Sequence, residues 1–334
     1  MVVVQRYGLA VVMCFITMLC WGSWANTQKL VSKEWRFQLF YWDYAIGVLL
    51  LAVISALTLG SFGSTGRSFL SDIAQANSSS VVSAFSGGVV FNLANILIVA
   101  AIDITGMAVA FPVGIGLALV IGVITNYIAA PVGNPVVLSL GVAGVVLAII
   151  LDSIAYKRLS LSKRKTPFKG IIISVSGGIL MGFFYRFVAA SISTDFINPE
   201  PGKLTPYSAV VIFSLGLLLS NFVWNTIVMA KPFTGEPVPF SDYFSKGSPR
   251  LHMIGILGGI IWSVGMSFSI IASGAAGFAI SYGLGQGATM IAVLWGVFIW
   301  KEFKDAPAGT NKLLMFMFAS FVIGLGLIIY ARIA

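Results

Sequence analysis

The sequence predicts an all-α integral membrane protein with ten transmembrane helices, and three observations carry this prediction. Of its 334 residues, 58% are hydrophobic and only 9% are charged, whereas soluble chains carry about 25% charged residues. Apolar stretches recur along the whole chain, each long enough to cross about 30 Å of hydrocarbon. Lysine and arginine gather in the short connectors between these stretches. Lipid must therefore surround most of the chain.

Each apolar stretch is expected to be a helix, because every backbone N–H and C=O in lipid needs a partner within its own segment. The first stretch has no Ala-x-Ala-type cleavage site, so we expect it to remain as the first span. The predicted spans are Tyr7–Gln28, Gln38–Gly60, Ser79–Ala101, Gly106–Tyr127, Pro135–Tyr156, Phe168–Ser191, Pro206–Ala230, Arg250–Ser273, Gly277–Trp300 and Asn311–Ala331.

The charge distribution predicts an orientation. Fifteen of the 20 lysines and arginines lie in the odd-numbered connectors, and four lie on the other side of the membrane. The positive-inside rule then places the odd connectors in the cytoplasm and both termini outside it. This bias accounts for the net charge of +9, so we expect lipid and no nucleic acid as a partner. We expect a bacterial inner-membrane protein that is a monomer or a homodimer.

Two stretches of the chain match at a spacing of 171 residues. GGVVFNLANILIVAAIDITGMAVAFPVGIG begins at Gly87, and GGIIWSVGMSFSIIASGAAGFAISYGLGQG begins at Gly258. Spans 3 and 4 then correspond to spans 8 and 9, although Gly-rich helices can also resemble each other by chance. Five spans per copy make the copies antiparallel, which is the inverted-repeat architecture of secondary transporters. The predicted units are residues 1–156 and 168–334, joined by a basic cytoplasmic linker at 157–167.

Ionisable residues inside spans are expensive and are therefore functional candidates. Asp43, in the YWDY run of span 2, is either an interfacial carboxylate near a positive helix end or a proton-coupling group. Arg186, late in span 6, is either a snorkelling guanidinium or a gate or counter-charge. We interpret Asp152 as an interfacial partner of the basic residues that follow it, and His252 as a solvated interfacial histidine.

Uncharged polar side chains beside tryptophans indicate the type of solute. Amides next to indoles suit a neutral, flat or ring-shaped solute with many hydrogen-bonding groups, such as a sugar, a ureide or a nucleobase. For each single residue, helix–helix hydrogen bonding is the alternative. The predicted substrate-binding residues are Trp21, Trp24, Asn26, Asn92, Asn95, Tyr282 and Gln286.

No group of residues in the sequence indicates an enzyme. The two cysteines share span 1, the single histidine has no cysteine or carboxylate cluster beside it, and GLGQG lies within an apolar stretch. A nucleotide-binding loop would follow a strand and precede Lys-Ser or Lys-Thr. We therefore predict no catalytic residue, no metal site and no cofactor.

Several runs resemble known transporter families. The stretch from Phe40 to Val120, with YWDYAIGVLL and LGSFGSTGRSFLSDIAQAN, resembles plant ureide permeases. ASGAAGFAISYGLGQGATMIAVLWGVFIWKEF, at Ala272–Phe303, resembles the same family and also the bacterial glucose/ribose porters, although Lys301-Glu302 replaces their Gly-Glu. TPYSAVVIFSLGLLLSNF is similar to the rhamnose–proton symporter. All three families belong to the drug/metabolite transporter superfamily.

The resemblance implies ten helices and proton-coupled uptake, and it places Asp43 on the family's Tyr-x-Asp-Tyr motif. We therefore expect a secondary transporter that takes up a small neutral polar solute, a sugar or a ureide or nucleobase-type heterocycle, together with a proton. Two alternatives remain open: a metabolite exporter or exchanger of the same superfamily, and a non-transporting membrane receptor or scaffold.

Overall fold

The computed structural model describes residues 1–159 and 167–334. Within these residues ten helices are long and apolar enough to cross a membrane, which confirms the ten predicted spans to within a few residues at their ends. The predicted linker at 157–167 falls mostly on residues 160–166, which lie outside the described part. The spanning helices are α1 (Tyr7–Val31), α2 (Phe37–Leu57), α3 (Ser78–Thr105), α4 (Pro112–Ala129), α5 (Pro135–Leu159), α6 (Phe168–Ser191), α7 (Pro206–Ala230), α8 (Pro249–Ala276), α9 (Phe278–Ile299) and α10 (Thr310–Tyr330).

Helices α3 and α8 are the longest, with 28 residues each. Each ends at a glycine with a positive φ angle, 76° at Gly106 and 87° at Gly277. A side chain would strain this backbone conformation, whereas glycine adopts it readily. The chain turns at each of these glycines. After Gly277 it enters α9 directly at Phe278, and after Gly106 it first forms a short helix, Met107–Ala110, that precedes α4. Because α3 continues four residues beyond the predicted Ala101, Asp103 belongs to its last turn.

The helices pack in two related sets. Helix α3 lies against α6 and α7, while α8 lies against α1 and α2; α5 and α10 pack together as a further pair. Glycines permit the closest approaches. Gly88 lies on the backbone of α7 beside Phe213, and Gly259 lies on the backbone of α2 beside Tyr44.

The connections after α1, α7 and α9 lie together on one side of the helix bundle. Lys29, at the end of α1, forms a 2.6 Å ion pair with Glu302, which follows α9. Arg250 at the start of α8 approaches Glu34 between α1 and α2, at 3.5 Å. We call this the basic side, since most of the lysines and arginines belong to it.

On the opposite side of the bundle, a buried carboxylate joins two of the connections between helices. Asp72, in a short helix between α2 and α3, is fully buried and accepts from the Arg67 Nε at 3.0 Å. Its other oxygen accepts from the backbone N–H of Thr205 at 2.7 Å. Arg67 also donates to backbone carbonyls of the α6–α7 connection. The connection after α2 is thereby tied to the connection before α7, one from each half of the sequence.

Candidate functional site

A cavity of about 300 Å³ lies where α1, α3, α6, α8 and α9 meet. We call it the central cavity. Three indoles line it, from Trp21 and Trp24 on α1 and Trp262 on α8. The rings of Trp21 and Trp262 are parallel to within 13°, with centroids 5.9 Å apart. Flat rings of this kind offer stacking surfaces to a planar or ring-shaped solute.

Polar side chains complete the wall of the central cavity. Asn95 donates through Nδ2 to the hydroxyl of Tyr41 at 3.0 Å, so its side-chain oxygen stays available as an acceptor. The side-chain amides of Gln28 and Gln286 also line the cavity, and neither forms a hydrogen bond with a residue that the structure describes. Thr289 contributes a hydroxyl. The cavity therefore offers hydrogen-bond donors and acceptors beside aromatic faces.

The central cavity is closed towards the opposite side and continues towards the basic side. Phe91, Phe184 and Trp262 pack ring to ring at the closed end, with Phe91 centred 4.4 Å from Trp262 and 5.0 Å from Phe184. Towards the basic side, a second cavity of about 330 Å³ begins. The two cavities share three residues of their walls, which are Gln28, Val99 and Asp103. The central cavity thus adjoins a second cavity that lies towards the basic side.

The structure brings four of the seven predicted substrate-binding residues into the wall of the central cavity. These are Trp21, Trp24, Asn95 and Gln286. They come from α1, α3 and α9, which are distant in the sequence. Their grouping around one enclosed space is what a solute site in a transporter requires.

The other three predicted substrate-binding residues lie outside that wall. Asn92 donates to the carbonyl of Leu217 on α7 at 3.1 Å, and Tyr282 donates to the carbonyl of Ala118 on α4, also at 3.1 Å. Asn26 accepts from an indole at the end of α9. In this conformation all three join helices to each other, which was the alternative for each of them. A contact with solute stays a prediction for these residues.

Asp43 lies near the basic side, buried between α2, α8 and the connection before α8. Only 1% of its surface is exposed, and three side chains surround its carboxylate. Trp35 Nε1 donates to Oδ2 at 3.2 Å, His252 Nδ1 lies 2.9 Å from Oδ1, and the Tyr243 hydroxyl donates to Oδ1. Burial raises the pKa of Tyr243, and the hydrogen bond to Asp43 raises it further. The phenol therefore remains a donor at neutral pH.

The sequence analysis interpreted His252 as a solvated interfacial histidine, and the structure corrects this interpretation. His252 is a direct partner of Asp43. Its side chain is 27% exposed and joins Asp43 to solvent on the basic side. The two residues are 209 positions apart, so no local pattern could reveal the contact. Asp43 itself does not line the central cavity. Its neighbour Tyr44 reaches towards it, with its ring centred 4.8 Å from Trp24.

Two further ionisable residues have contrasting surroundings. Asp152 is 2% exposed, and one of its carboxyl oxygens has no hydrogen-bond partner in the part of the chain that the structure describes. It is therefore a buried group inside α5 and not the interfacial partner of Lys157 that we expected. Arg186 is half-buried near the opposite end of α6 and forms no ion pair with a described residue. Whether it acts as a gate or a counter-charge stays a prediction.

Asp103 is the charged cavity residue that the sequence analysis missed. It lines both cavities at their junction, yet the predicted span 3 ended before it. A carboxylate in the run AAIDITG, directly after an apolar stretch, was the signal that could have identified it. A span extended by one turn would have included it.

Comparison with known proteins relates the whole chain to one family. The ureide permease family model matches residues 40–168 and 155–331. Ureide permease 1 of Arabidopsis thaliana is 23% identical over 98% of both chains. Ureide permease 2 of the same plant is 25% identical over 96% of this chain and 97% of its own. Probable ureide permease A3 of Vigna unguiculata is 31% identical over 37% of this chain.

The fold is also present in a solved structure. A crystal structure of a protein 15% identical to this chain superposes with a TM-score of 0.56, covering 98% of this chain and 99% of that one. At this level of identity the similarity concerns the fold alone.

Proposed function

This chain belongs to the ureide permease family, and we propose that it carries a small, neutral solute of the ureide or nucleobase class through the central cavity. Permeases are membrane transport proteins, so the chain is an integral membrane transporter and not an enzyme. The observation that carries the substrate class is the wall of the central cavity, where side-chain amides lie beside stacked indoles. A ureide or nucleobase alternates N–H donors with C=O acceptors around a flat frame, so amides can pair with its edge while indoles cover its faces.

An alternating-access cycle built on two inverted halves is the second part of the proposal. Its support is the matched packing of the two sets of helices. Gly87 contacts α6 and Gly88 contacts α7, just as Gly258 contacts α1 and Gly259 contacts α2. These are equivalent neighbours if residues 1–156 and 168–334 are two copies of one unit. Rocking of one copy against the other would then move the opening of the central cavity from one side to the other.

Proton coupling through Asp43 is the third part. A proton that reaches Asp43 or His252 changes the charge of a contact between α2 and α8, and α8 carries Trp262 into the cavity wall. Such a contact can make the conformational equilibrium depend on protonation.

We further propose that the basic side faces the cytoplasm and both termini lie outside, since the charge bias supports this orientation. Membership of the drug/metabolite transporter superfamily would be consistent with these features. The named relatives are plant proteins and lend no support to a bacterial inner membrane.

The proposal is tested by thermal stabilisation of the purified protein against ureides, nucleobases, sugars and amino acids. A ligand that binds only the folded state raises the melting temperature by mass action. We expect stabilisation by allantoin or uracil and uptake of the same compound into proteoliposomes. A response to sugars alone would favour the porter alternative, and efflux driven by an inward proton gradient would favour an exporter. Binding without any flux would favour a receptor.

Removing a polar group of the cavity wall should weaken solute binding. We expect Asn95→Ala and Gln286→Ala each to raise the dissociation constant by about fivefold, because a hydrogen bond contributes about 1 kcal/mol. The dissociation constant is measured by calorimetry with the solute found in the thermal screen. Asn198→Ala, in an exposed connection, is the matched control and should bind as the wild type does. Unchanged affinity in both cavity variants would contradict the assignment.

A further inference from the structure

Asp103 occupies the narrow junction between the two cavities. Together with Gln28 and Val99 it belongs to the walls of both, and we call these three residues the neck. Asp103 lies in the last turn of α3 with its surface exposed, while Gln28 faces it from α1. A solute that moves from the central cavity into the second cavity passes these shared residues.

Within residues 1–159 and 167–334, no counter-charge is in contact with the carboxylate of Asp103. It is the one charged residue in the wall of the central cavity among the residues that the structure describes. The second cavity adds Arg36, but Asp103 forms no ion pair or hydrogen bond with any described residue. In its ionised form, this carboxylate has two acceptor oxygens and no donor. The neck therefore presents a negative charge and two acceptor oxygens to whatever passes.

We propose that Asp103 determines specificity at the neck: it excludes anionic solutes and accepts N–H groups from neutral ones. An ionised carboxylate can only accept hydrogen bonds, which suits the N–H edges of a ureide or nucleobase. A second carboxylate a few ångströms away is repelled, more strongly than in bulk water because the apolar wall lowers the local dielectric. Repulsion of anionic solutes thus adds to the selectivity that hydrogen bonds provide for neutral solutes. This inference rests on the proposed function and adds to it that solutes are selected by their charge.

The experiment compares uracil with its carboxylated analogue orotate in uptake by proteoliposomes. In the wild type, orotate should compete poorly with labelled uracil. In Asp103→Asn we expect orotate to inhibit uracil uptake at a concentration at least tenfold lower, while Asp103→Glu keeps the exclusion. Glu34→Gln is the control, since Glu34 is an exposed carboxylate on the basic side, paired with Arg250 and outside both cavities.

A second variant tests the same claim while Asp103 stays in place. Gln28→Glu adds a carboxylate to the neck, and we expect it to weaken inhibition by orotate further. If Asp103→Asn transports uracil and still excludes orotate as the wild type does, the role of Asp103 is refuted and the proposed function stands. If the wild type transports neither uracil nor any other neutral heterocycle, the proposed function itself fails. The two failures are thus distinguished by the wild-type uptake of neutral solute.

Discussion

Replacement of Asp43 by asparagine is expected to abolish uphill accumulation of solute while leaving solute exchange intact. A carboxamide keeps the size of the side chain and an acceptor oxygen, but it cannot take up or release a proton. Exchange of labelled for unlabelled solute needs no net proton movement, whereas accumulation against a gradient does. Both are measured in proteoliposomes, the first by counterflow and the second with an imposed pH gradient. We expect accumulation to fall to the level of equilibration.

The matched control for this prediction is Asp242→Asn. Asp242 lies in the same connection as Tyr243 and pairs with Lys246 at 2.8 Å, outside the Asp43 contact. It should accumulate solute as the wild type does. Because Asp43 is buried and hydrogen-bonded to three side chains, its replacement also lowers stability, so the melting temperature of each variant has to be compared. Accumulation that persists in Asp43→Asn would remove Asp43 from the coupling mechanism.

Alanine at Gly88 or at Gly259 is expected to destabilise the protein by about 1–3 kcal/mol, the usual effect of overpacking a dense core. A Cβ at Gly88 would lie 2.7 Å from the amide nitrogen of Leu217, and a Cβ at Gly259 would lie 2.8 Å from that of Val48. Both clashes are with backbone, which cannot move aside as a flexible side chain can. The melting temperature of the detergent-solubilised protein reports the loss.

Gly326→Ala provides the comparison for both variants. It lies in α10, where an added Cβ meets nothing within 4 Å, so the better helix propensity of alanine should leave stability equal or slightly raised. The two glycines should also behave alike, because each lies at the same kind of helix crossing in its own half. A large loss at Gly88 with none at Gly259 would argue against two equivalent halves.

The helices of this protein were predictable because lipid imposes a simple rule on the sequence. A segment must be apolar, long and hydrogen-bonded within itself, so composition alone located all ten. The reversals at Gly106 and Gly277 were also visible, since both lie within the matched stretches. The error that affected the site was the end of span 3, which was predicted at Ala101 and lies at Thr105 in the structure.

The site was predictable in its residue types but not in its contacts. Amides and indoles on α1, α3 and α9 were recognised as solute ligands, yet the sequence cannot tell an amide that faces a cavity from one that bonds to a neighbouring helix. Asn95 and Asn92 illustrate this, because they are three residues apart and only Asn95 lines the cavity. The pairing of Asp43 with His252 depends on tertiary packing across two halves of the chain, which no local pattern records.

The hydrogen bonds of Asp72 lie on one side of the bundle only. The same site would therefore bind solute with different apparent affinities from the two faces of the membrane. The hydrogen bond of Asp72 to the Thr205 N–H, together with the bonds from Arg67 to the α6–α7 connection, ties the two connections on the opposite side together, and hydrogen bonds to a charged group contribute about 1.5–3 kcal/mol each. An empty carrier must give these up before it can open there, so it would rest mostly open to the basic side. The apparent affinity on the closed face falls in proportion to the fraction of molecules open to it. Solute would then dissociate on the closed face more readily than it binds there, although the residues of the binding site are unchanged.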